Sequence, residues 1–502
     1  MPICLKDNQY KFAPWDETWG PWDKDKFQDP LNAIDGKSLK ELSSDKWKEK
    51  NGELLVFSFN NAEADLGRDD NFVYKLDWVK EQETDLEKPS FQTGNVMGFI
   101  GLGDDLQMQI TSRFDQSNQN YFLHYMLQKV CNVAFAPQTG SAEDKLLDFL
   151  YYLFPSYLKA ACAQGIFRAY VTREYNDANV RGPIDVARHI RYNMPFNGKV
   201  AYHTREYTTD NKITQLVRHT IEYIRSLSFG GYILESDTDT RDYVNSIVVA
   251  TPTYSKNSRL QVIAQNLHPV THPYYTAYEN LRKLCLAILR HEKLSYGDSD
   301  KPIRGILFDG ASLWEEYLAK VFEDNHVDLI HSNNRTGENG IQLLVGGRKN
   351  HYPDFYREND KVGNKKAVVL DAKYKKLCVN KNDNDIDKND SEFVEDNYIP
   401  KNGNGEYRVF IKGRDVMQML AYMYTLEATK TILISPYSFS ESRKIQENDI
   451  RIRDWETVGY KGEISVFAVP IPANETQWDD FVAKMQNVEK ELVKKIKAQI
   501  EK

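Results

Sequence analysis

The segment Ala367 to Tyr374 constrains the fold of the carboxy-terminal part most, because an apolar run there ends in two charged residues. The run Ala367 to Leu370 is typical of a buried strand, and Asp371 and Lys373 follow it. Alternate residues of a strand share a face, so these two charged side chains project to the same side while their neighbours pack behind them. An ionised carboxylate at the end of a buried strand requires a metal ion or a charged partner.

A second carboxylate precedes this strand. Asp354 stands in the motif Tyr352-Pro353-Asp354-Phe355, seventeen positions before Asp371. Two carboxylates that hold Mg²⁺, with a lysine that offsets developing charge, suit the hydrolysis of a phosphodiester. The order PD…DxK is the signature of the PD-(D/E)XK nucleases. Because both short patterns also occur by chance, the alternative is a solvated loop followed by an edge strand.

Two predicted helices carry further polar side chains that belong with these carboxylates. Glu315 and Glu316 lie on a helix before the strands, where nucleases of this superfamily often carry an additional acidic residue. The sequence does not decide which of the two faces the site. Gln418 and Tyr422 lie four positions apart on a later helix and therefore share one face. In similar nucleases such a pair borders the metal site and the DNA backbone.

Composition limits how the chain contacts nucleic acid. Acidic residues number 73 against 65 basic ones, so the net charge is -8 and the isoelectric point is about 5.8. Since this charge repels DNA overall, a DNA contact must be local. The candidate DNA-binding residues around the two carboxylates are Arg348, Lys349, Lys375, Lys376 and Tyr422. A surface of scattered lysines is the alternative.

Other features restrict the class of protein. The five cysteines stand singly, which argues against a CxxC zinc site and a disulfide framework. No apolar run approaches the roughly 18 residues of a membrane span, so we expect a cytoplasmic protein. The stretch Asp35 to Ser38 comes nearest to a phosphate-binding loop, but Leu31 stands where its first glycine belongs. We therefore expect no nucleotide hydrolysis by this chain alone.

The length of 502 residues exceeds the size at which one core keeps growing, so we expect several domains. The predicted fold class is a multidomain α+β or α/β protein. We expect residues 1–96 to form a β-rich amino-terminal module, residues 97–295 a mixed hairpin and helical middle domain, and residues 296–502 a PD-(D/E)XK restriction-endonuclease-like α/β domain. The polar residues 380–405 predict a flexible insertion in that last domain.

Hydrophobic spacing predicts individual elements along the chain. Strands are expected at Leu54 to Phe59, Ile341 to Val345, Ala367 to Leu370 and Thr431 to Ser435, and a hairpin from Met97 onward. Helices are expected at Tyr121 to Phe135, Lys145 to Ala160, Ile213 to Ser226, Tyr274 to His291, Ala311 to Glu323 and Val416 to Tyr424. The last helix is expected to run from a cap at Asn474 to Lys502, and a loop at Tyr296 to Pro302 to precede the nuclease-like domain.

Several longer segments resemble one known family. They are ILFDGASLWEEYLAKVF (306–322), YPDFY, VVLDAKYK, RDVMQMLAYMY, SRFD…YFLHYMLQKV (112–130) and VRGPIDVARHI (180–190). In these segments the chain resembles the McrC family, the nuclease subunits of McrBC modification-dependent restriction systems. The resemblance extends from about residue 98 to residue 436 and is thinner over the first ninety residues.

That resemblance implies a function and a set of roles. Asp354 and Asp371 would bind Mg²⁺, with Mn²⁺ as a substitute; Lys373 would serve the attacking water, and Glu315 and Gln418 would support the site. The protein would be the DNA endonuclease subunit of an antiviral defence complex and would act on modified double-stranded DNA. Its amino-terminal half would dock on a McrB-like AAA+ GTPase hexamer and stimulate it. Two alternatives stay open: an inert adaptor of an AAA+ ring, and a stand-alone structure-specific nuclease.

Overall fold

A computed structural model describes most of the chain. The described residues are 2–9, 24–57, 71–80, 87–102, 106–115, 120–131, 142–227, 230–235, 237–268, 270, 272–294, 303–332, 337–347, 349–359, 366–380, 393–398, 407–438, 450–459, 461–472 and 475–501. The predicted loop at Tyr296 to Pro302 lies outside them.

The described strands and helices together make a mixed α/β protein. The strands are β1 Pro2–Lys6, β2 Gly52–Phe57, β3 Tyr74–Lys80, β4 Glu87–Thr93, β5 Val96–Leu102, β6 Leu106–Thr111, β7 Ala169–Asp177, β8 Val200–Thr208, β9 Ile303–Asp309, β10 Ile330–His331, β11 Phe355–Arg357, β12 Val368–Ala372, β13 Cys378–Asn380, β14 Phe393–Tyr398, β15 Tyr407–Lys412, β16 Lys430–Ser438, β17 Arg451–Glu456 and β18 Glu463–Ile471. The helices are α1 Lys24–Ile34, α2 Leu39–Leu42, α3 Asp45–Asn51, α4 Tyr121–Cys131, α5 Ala142–Cys162, α6 Val186–Asn193, α7 Lys212–Ser226, α8 Gly230–Leu234, α9 Thr238–Ala250, α10 Arg259–Gln265, α11 Ala277–Leu294, α12 Gly310–Asp324, α13 Gly413–Leu426 and α14 Trp478–Ile500.

The chain divides into two compact units. The discontinuous unit comprises Met1–Val130, Ala134–Ala142 and Ser299–Lys502; the inserted unit comprises Cys131–Val133 and Glu143–Asp298. The predicted multidomain, mixed α/β class is thereby confirmed. The domain boundaries proposed after residues 96 and 295 stay predictions.

The first sheet of the discontinuous unit joins strands that are far apart in sequence. Its order is β1-β6-β5-β9-β2, in which β5 and β6 form the hairpin predicted from Met97. Gly98 in β5 has φ +148, and a Cβ atom there would lie 2.0 Å from the carbonyl oxygen of Ile306 in β9. Only glycine therefore allows β5 and β9 to approach this closely.

The first ninety residues contain helices as well as strands, so the β-rich description was too narrow. Leu31 and Ile34 of α1 are buried in the same core as β1 and β5, which explains why this segment is helical. Ser38 is the N-cap of α2: its hydroxyl accepts the backbone N–H of Glu41, whose carboxylate accepts the backbone N–H of Ser38. The sequence that resembled a phosphate-binding loop thus begins a short helix.

The second sheet of the discontinuous unit carries the candidate site. Its order is β10-β11-β12-β16-β18-β17, with β12, β16 and β18 parallel and the other pairings antiparallel. Met419 and Met423 of α13 share a hydrophobic core with Val369 of β12 and Leu433 of β16. The indole N–H of Trp314 in α12 donates to the carbonyl oxygen of Ile434, 3.2 Å away. These contacts fix both helices against the strands that carry the charged motif.

Three predicted elements of this region are corrected by the structure. Ile341 to Val345 is not a strand: Ile341 makes a single bridge with His351, and Val345 is fully exposed. Residues 380–405 are not all loop, because β14 pairs antiparallel with β15; residues 381–392 and 399–406 lie outside the described part. The last helix begins at Trp478 after Gln477, so Asn474, which is not described, does not cap it.

The inserted unit is built around helix α7. Its predicted buried positions on α11 are confirmed, since Leu281, Leu284, Cys285, Ile288 and Leu289 are all buried. The antiparallel strands β7 and β8 form a long hairpin with α6 between them. Among the described residues of the whole chain, no helix is long and apolar enough to cross a lipid bilayer.

His219 on α7 makes the stability of the inserted unit depend on pH. Its side chain is fully buried, and its Nε2 lies 3.3 Å from Ser258 Oγ. Burial, together with the guanidinium groups of Arg259 and Arg218, lowers the pKa of His219 to about 4. The unfolded chain takes up this proton near pH 6.5, so the folded protein loses about 3 kcal/mol of stability as the pH falls from about 6.5 to about 4.

We expect His219→Gln to reduce the pH dependence of the unfolding free energy, because glutamine takes up no proton in this range. Urea denaturation at pH 7.0 and at pH 4.5 measures this difference. The exposed His268 in the same unit provides the control, and His268→Gln should keep the wild-type pH dependence. Identical pH dependence in wild type and His219→Gln would show that the buried ring does not control it.

Candidate functional site

The pairing of β11 with β12 brings the two predicted carboxylates together. Phe355 pairs with Leu370, so Asp354 and Asp371 face each other one residue beyond that pair. The backbone N–H of Ala372 donates to Asp354 Oδ2 at 2.6 Å. Ser332 holds the other side of the Pro-Asp turn, since its backbone N–H donates to the carbonyl oxygen of Asp354 at 3.2 Å.

The charge of Asp371 acts on the neighbouring carboxyl group of Asp354. Asp371 is only 1 % exposed and lies at the carboxyl end of β12. Removal from water, and the nearby charges of Asp371 and Glu315, raise the pKa of Asp354 well above its usual range. Such a pair favours the approach of a cation, because a positive charge is what allows both groups to stay ionised.

Lys373 supplies one positive charge to this pair. Its ammonium forms an ion pair with Asp371 Oδ2 and lies 3.9 Å from Asp415 Oδ1. Burial acts against the charged form, but Asp371, Asp354 and Asp415 together raise the pKa of Lys373 above its ordinary value. The carboxylates around Lys373 therefore favour its charged form.

Helix α13 holds the lysine from the other side. Lys373 Nζ donates to Gln418 Oε1 at 3.3 Å, and Gln418 Nε2 donates to Tyr422 Oη at 3.3 Å. These two residues are one helical turn apart, as their spacing predicted. Tyr422 is only 5 % exposed, so the structure places this predicted DNA-binding residue beneath Gln418 rather than at the surface.

Of the two adjacent glutamates on α12, Glu315 lies nearer the carboxylate pair. Its charge contributes to the raised pKa of Asp354, and its Oε1 lies 3.2 Å from His331 Nε2. The neighbouring Glu316 interacts electrostatically with His331, and burial raises its pKa. The geometry thus favours Glu315 over Glu316 as the glutamate that faces the site. Its role in the site stays a prediction.

The predicted basic residues occupy different environments. Lys375 forms an ion pair with Asp415, whereas Lys376 and Lys349 are exposed, and Arg348 lies outside the described residues. The structure therefore brings Lys375 into the site cluster.

Sequence reasoning missed two residues of the site, Asp415 and His331. Asp415 is buried in the segment that also contains Gln418, three positions earlier on the same helix face, so its spacing carried a signal. His331 lies in β10, a strand of two residues whose pairing with β11 had no local signature. Asp415 lies beside Lys373, and His331 lies beside Glu315, whose charge acts on Asp354.

The donor set fits a hard divalent cation. In the described part of the chain, no three His, Cys, Asp or Glu side chains form a ready metal cage. Mg²⁺ does not need one, because it keeps several waters and is usually held by one or two carboxylates together with substrate phosphates. Asp354 and Asp371 provide that pair.

One protein-family model matches residues 91–394, more than half of the chain; it is described as the McrBC 5-methylcytosine restriction system component. The chain belongs to this family. The family resemblance found in the sequence is thereby confirmed. No curated protein matches the chain.

Two solved structures are similar to this family member. One is a half-complex of the tetradecameric assembly of Thermococcus gammatolerans McrB AAA+ hexamers with bound McrC, 15% identical, with a TM-score of 0.43, covering 97% of this chain and 100% of that chain. The other is the Thermococcus gammatolerans McrBC complex, 16% identical, with a TM-score of 0.29, covering 66% of this chain and 90% of that chain. Both TM-scores are below 0.5, so the family assignment rests on the sequence match.

The charge balance of the site predicts how substitutions change the stability of the metal-free protein. Lys373→Met leaves Asp371 buried without its ammonium partner, and we expect the unfolding free energy to fall by about 2 kcal/mol. The double variant Asp371→Leu with Lys373→Met removes both charges and should recover most of this loss. Urea denaturation in the presence of a chelator measures both values. Equal destabilisation by the single and double variants would show that the ion pair is not the cause.

Proposed function

We propose that this restriction-system component is an McrC-type, Mg²⁺-dependent DNA endonuclease subunit whose carboxy-terminal part is a PD-(D/E)XK nuclease domain. The observation that carries this proposal is the convergence of Asp354, Asp371 and Lys373 at the ends of two paired strands. The strand order and the helices α12 and α13 place Glu315 and Gln418 beside them. An inert adaptor would not require this arrangement of buried charges.

Each residue has a definable task in phosphodiester hydrolysis. Asp354 and Asp371 would hold Mg²⁺, which supplies Lewis-acid activation of water and charge neutralisation when bound. Lys373 offsets the negative charge that develops on the phosphate and orients the attacking water, because it stays protonated. Gln418 keeps the ammonium in place through its Oε1, and Tyr422 in turn fixes the amide of Gln418.

We further propose that a partner AAA+ GTPase recruits this subunit and licenses its cleavage. In one of the similar solved structures, McrC is bound to McrB AAA+ hexamers. The present chain offers no phosphate-binding loop, since Leu31 replaces its first glycine and Ser38 caps a helix. A GTP-driven step therefore has to come from another protein. The chain would dock on that partner and stimulate its hydrolysis of GTP.

The proposed substrate is modified double-stranded DNA. The family is described as a component of a 5-methylcytosine restriction system, which supports DNA that contains this base as the substrate. The partner would recognise the modified base. The net charge of -8 makes the chain a poor DNA binder by itself, so the exposed Lys349 and Lys376 would make only local phosphate contacts. One such site cuts one strand, and a double-strand break would need two copies.

The first experiment tests nuclease and activator roles separately. With the GTPase partner, GTP and Mg²⁺, the wild-type chain should cleave DNA that contains 5-methylcytosine, and Lys373→Ala should cleave it at least about 100-fold more slowly. Stimulation of the partner's GTPase should be unchanged, because Lys373 lies in the nuclease site. Equal cleavage by Lys373→Ala would place the nuclease elsewhere and favour the adaptor function.

A second experiment tests the metal site directly by calorimetry of Mg²⁺ binding to the chain. Asp371→Ala should abolish the binding heat, because it removes one of the two oxygen ligands. Asp454→Ala is the matched control, since Asp454 is an exposed carboxylate on β17, the far edge of the same sheet. An unchanged heat in Asp371→Ala would exclude this carboxylate pair as the Mg²⁺ site.

A further inference from the structure

The segment that follows the proposed catalytic lysine is held by residues more than 250 positions earlier in the chain. Arg113, which follows β6, directs its Nη2 to the carbonyl oxygen of Tyr374. Its Nη1 donates to Asp7 Oδ2 at 3.0 Å and to Asn95 Oδ1 at 2.9 Å. The guanidinium carbon also lies 4.9 Å from the centre of the Tyr374 ring. We call Asp7, Asn95, Arg113, Ser112 and Tyr374 the Tyr374 clamp.

The ring of Tyr374 is fixed as tightly as its backbone. Its Oη lies 2.7 Å from Ser112 Oγ, and its ring meets that of Phe114 edge-on with centres 5.2 Å apart. Gly310 makes room for it, since a Cβ atom at Gly310 would lie 2.8 Å from Tyr374 Cε1. Tyr374 is consequently buried, although it directly follows a residue of the candidate site.

The chemistry of the clamp requires arginine. Asp7 is fully buried, and Arg113 nearly so, so neither charge is solvated by water. A planar guanidinium donates in several fixed directions and therefore reaches a carboxylate, an amide oxygen and a main-chain carbonyl together. A buried ion pair contributes little net stability compared with apolar packing of the same volume. What this pair provides is a defined geometry for the segment that it holds.

Lys373 is thus held at its backbone from both sides. On the preceding side, the backbone N–H of Ala372 donates to Asp354 Oδ2. The backbone N–H of Lys373 donates to the carbonyl oxygen of Ile434 at 2.8 Å. After it, the clamp holds the carbonyl and the ring of Tyr374. The side chain of Lys373 has to reach Asp371 and Gln418 from this fixed backbone.

We propose that Arg113 is a positioning residue of the nuclease site, which acts by fixing Tyr374 and thereby the ammonium of Lys373. This inference rests on the proposed nuclease function. Arg113 itself touches neither Asp354 nor the proposed metal; its effect passes through the backbone of residues 373 and 374. Loss of the clamp therefore slows the chemical step while it leaves DNA binding and partner stimulation in place.

The test uses the full chain with its GTPase partner, GTP, Mg²⁺ and DNA that contains 5-methylcytosine. Arg113→Lys keeps a charge beside Asp7 but lacks the fork that reaches Tyr374. We expect kcat for cleavage to fall about tenfold, with KM for DNA and GTPase stimulation within about twofold of wild type. Arg282→Lys is the matched control, because Arg282 is an equally buried arginine that bridges Glu279 and the carbonyl oxygen of Asn266 in the inserted unit. It should leave kcat unchanged.

A second pair of variants covers the case in which Arg113→Lys fails to fold. Ser112→Ala and Tyr374→Phe each remove one partner of the same hydrogen bond, so each should lower kcat, and the double variant should lose no more than the larger single loss. Wild-type kcat in every one of these variants that folds, in a complex that Lys373→Ala inactivates, overturns the inference alone. A wild-type complex that cleaves no DNA, or that Lys373→Ala leaves active, overturns the proposed function and the inference with it.

Discussion

The charge balance between Asp354, Asp371 and Lys373 is the constraint on which the candidate site depends. Burial and the neighbouring charge of Asp371 at the end of the paired strand both raise the pKa of Asp354. The ammonium groups of Lys373 and Lys375 compensate only part of the charge, because Glu315 and Asp415 add further negative charges around the same centre. This excess of negative charge is what makes the site receptive to a divalent cation.

The sequence could predict those parts of the site that local patterns determine. The apolar run before Asp371 predicted β12, and the four-residue spacing of Gln418 and Tyr422 predicted a shared helix face; both are confirmed. The choice between Glu315 and Glu316 was different, because one residue of helix phase rotates a side chain by about 100° and no pattern fixed the phase. The phase of α12 is determined by its packing against the sheet, where Trp314 donates to the carbonyl oxygen of Ile434.

The failures of prediction have a common physical origin in contacts that are distant in sequence. The stretch Ile341 to Val345 has the composition of a strand, but among the described residues it pairs only through one bridge with His351, and it then turns at Gly346. Phe393–Tyr398 lies in a polar part of the sequence, yet it forms β14 because it pairs with the edge of β15. The Tyr374 clamp joins Asp7 to residue 374, and no window of sequence contains both.

The proposed role of Lys373 gives a functional reason for the buried ion pair of Asp7 and Arg113, which lies far from it in sequence. A lysine that served as a base would need its pKa lowered, whereas the three carboxylates around Lys373 raise it. In the proposed mechanism its contribution is electrostatic, and such a contribution depends on the distance between the ammonium and the developing charge. A misplacement of about 1 Å is enough to reduce a rate about 100-fold. A buried ion pair such as that of Asp7 and Arg113 contributes little net stability compared with apolar packing of the same volume, so its role in the proposed mechanism is to hold the lysine of the second sheet in place.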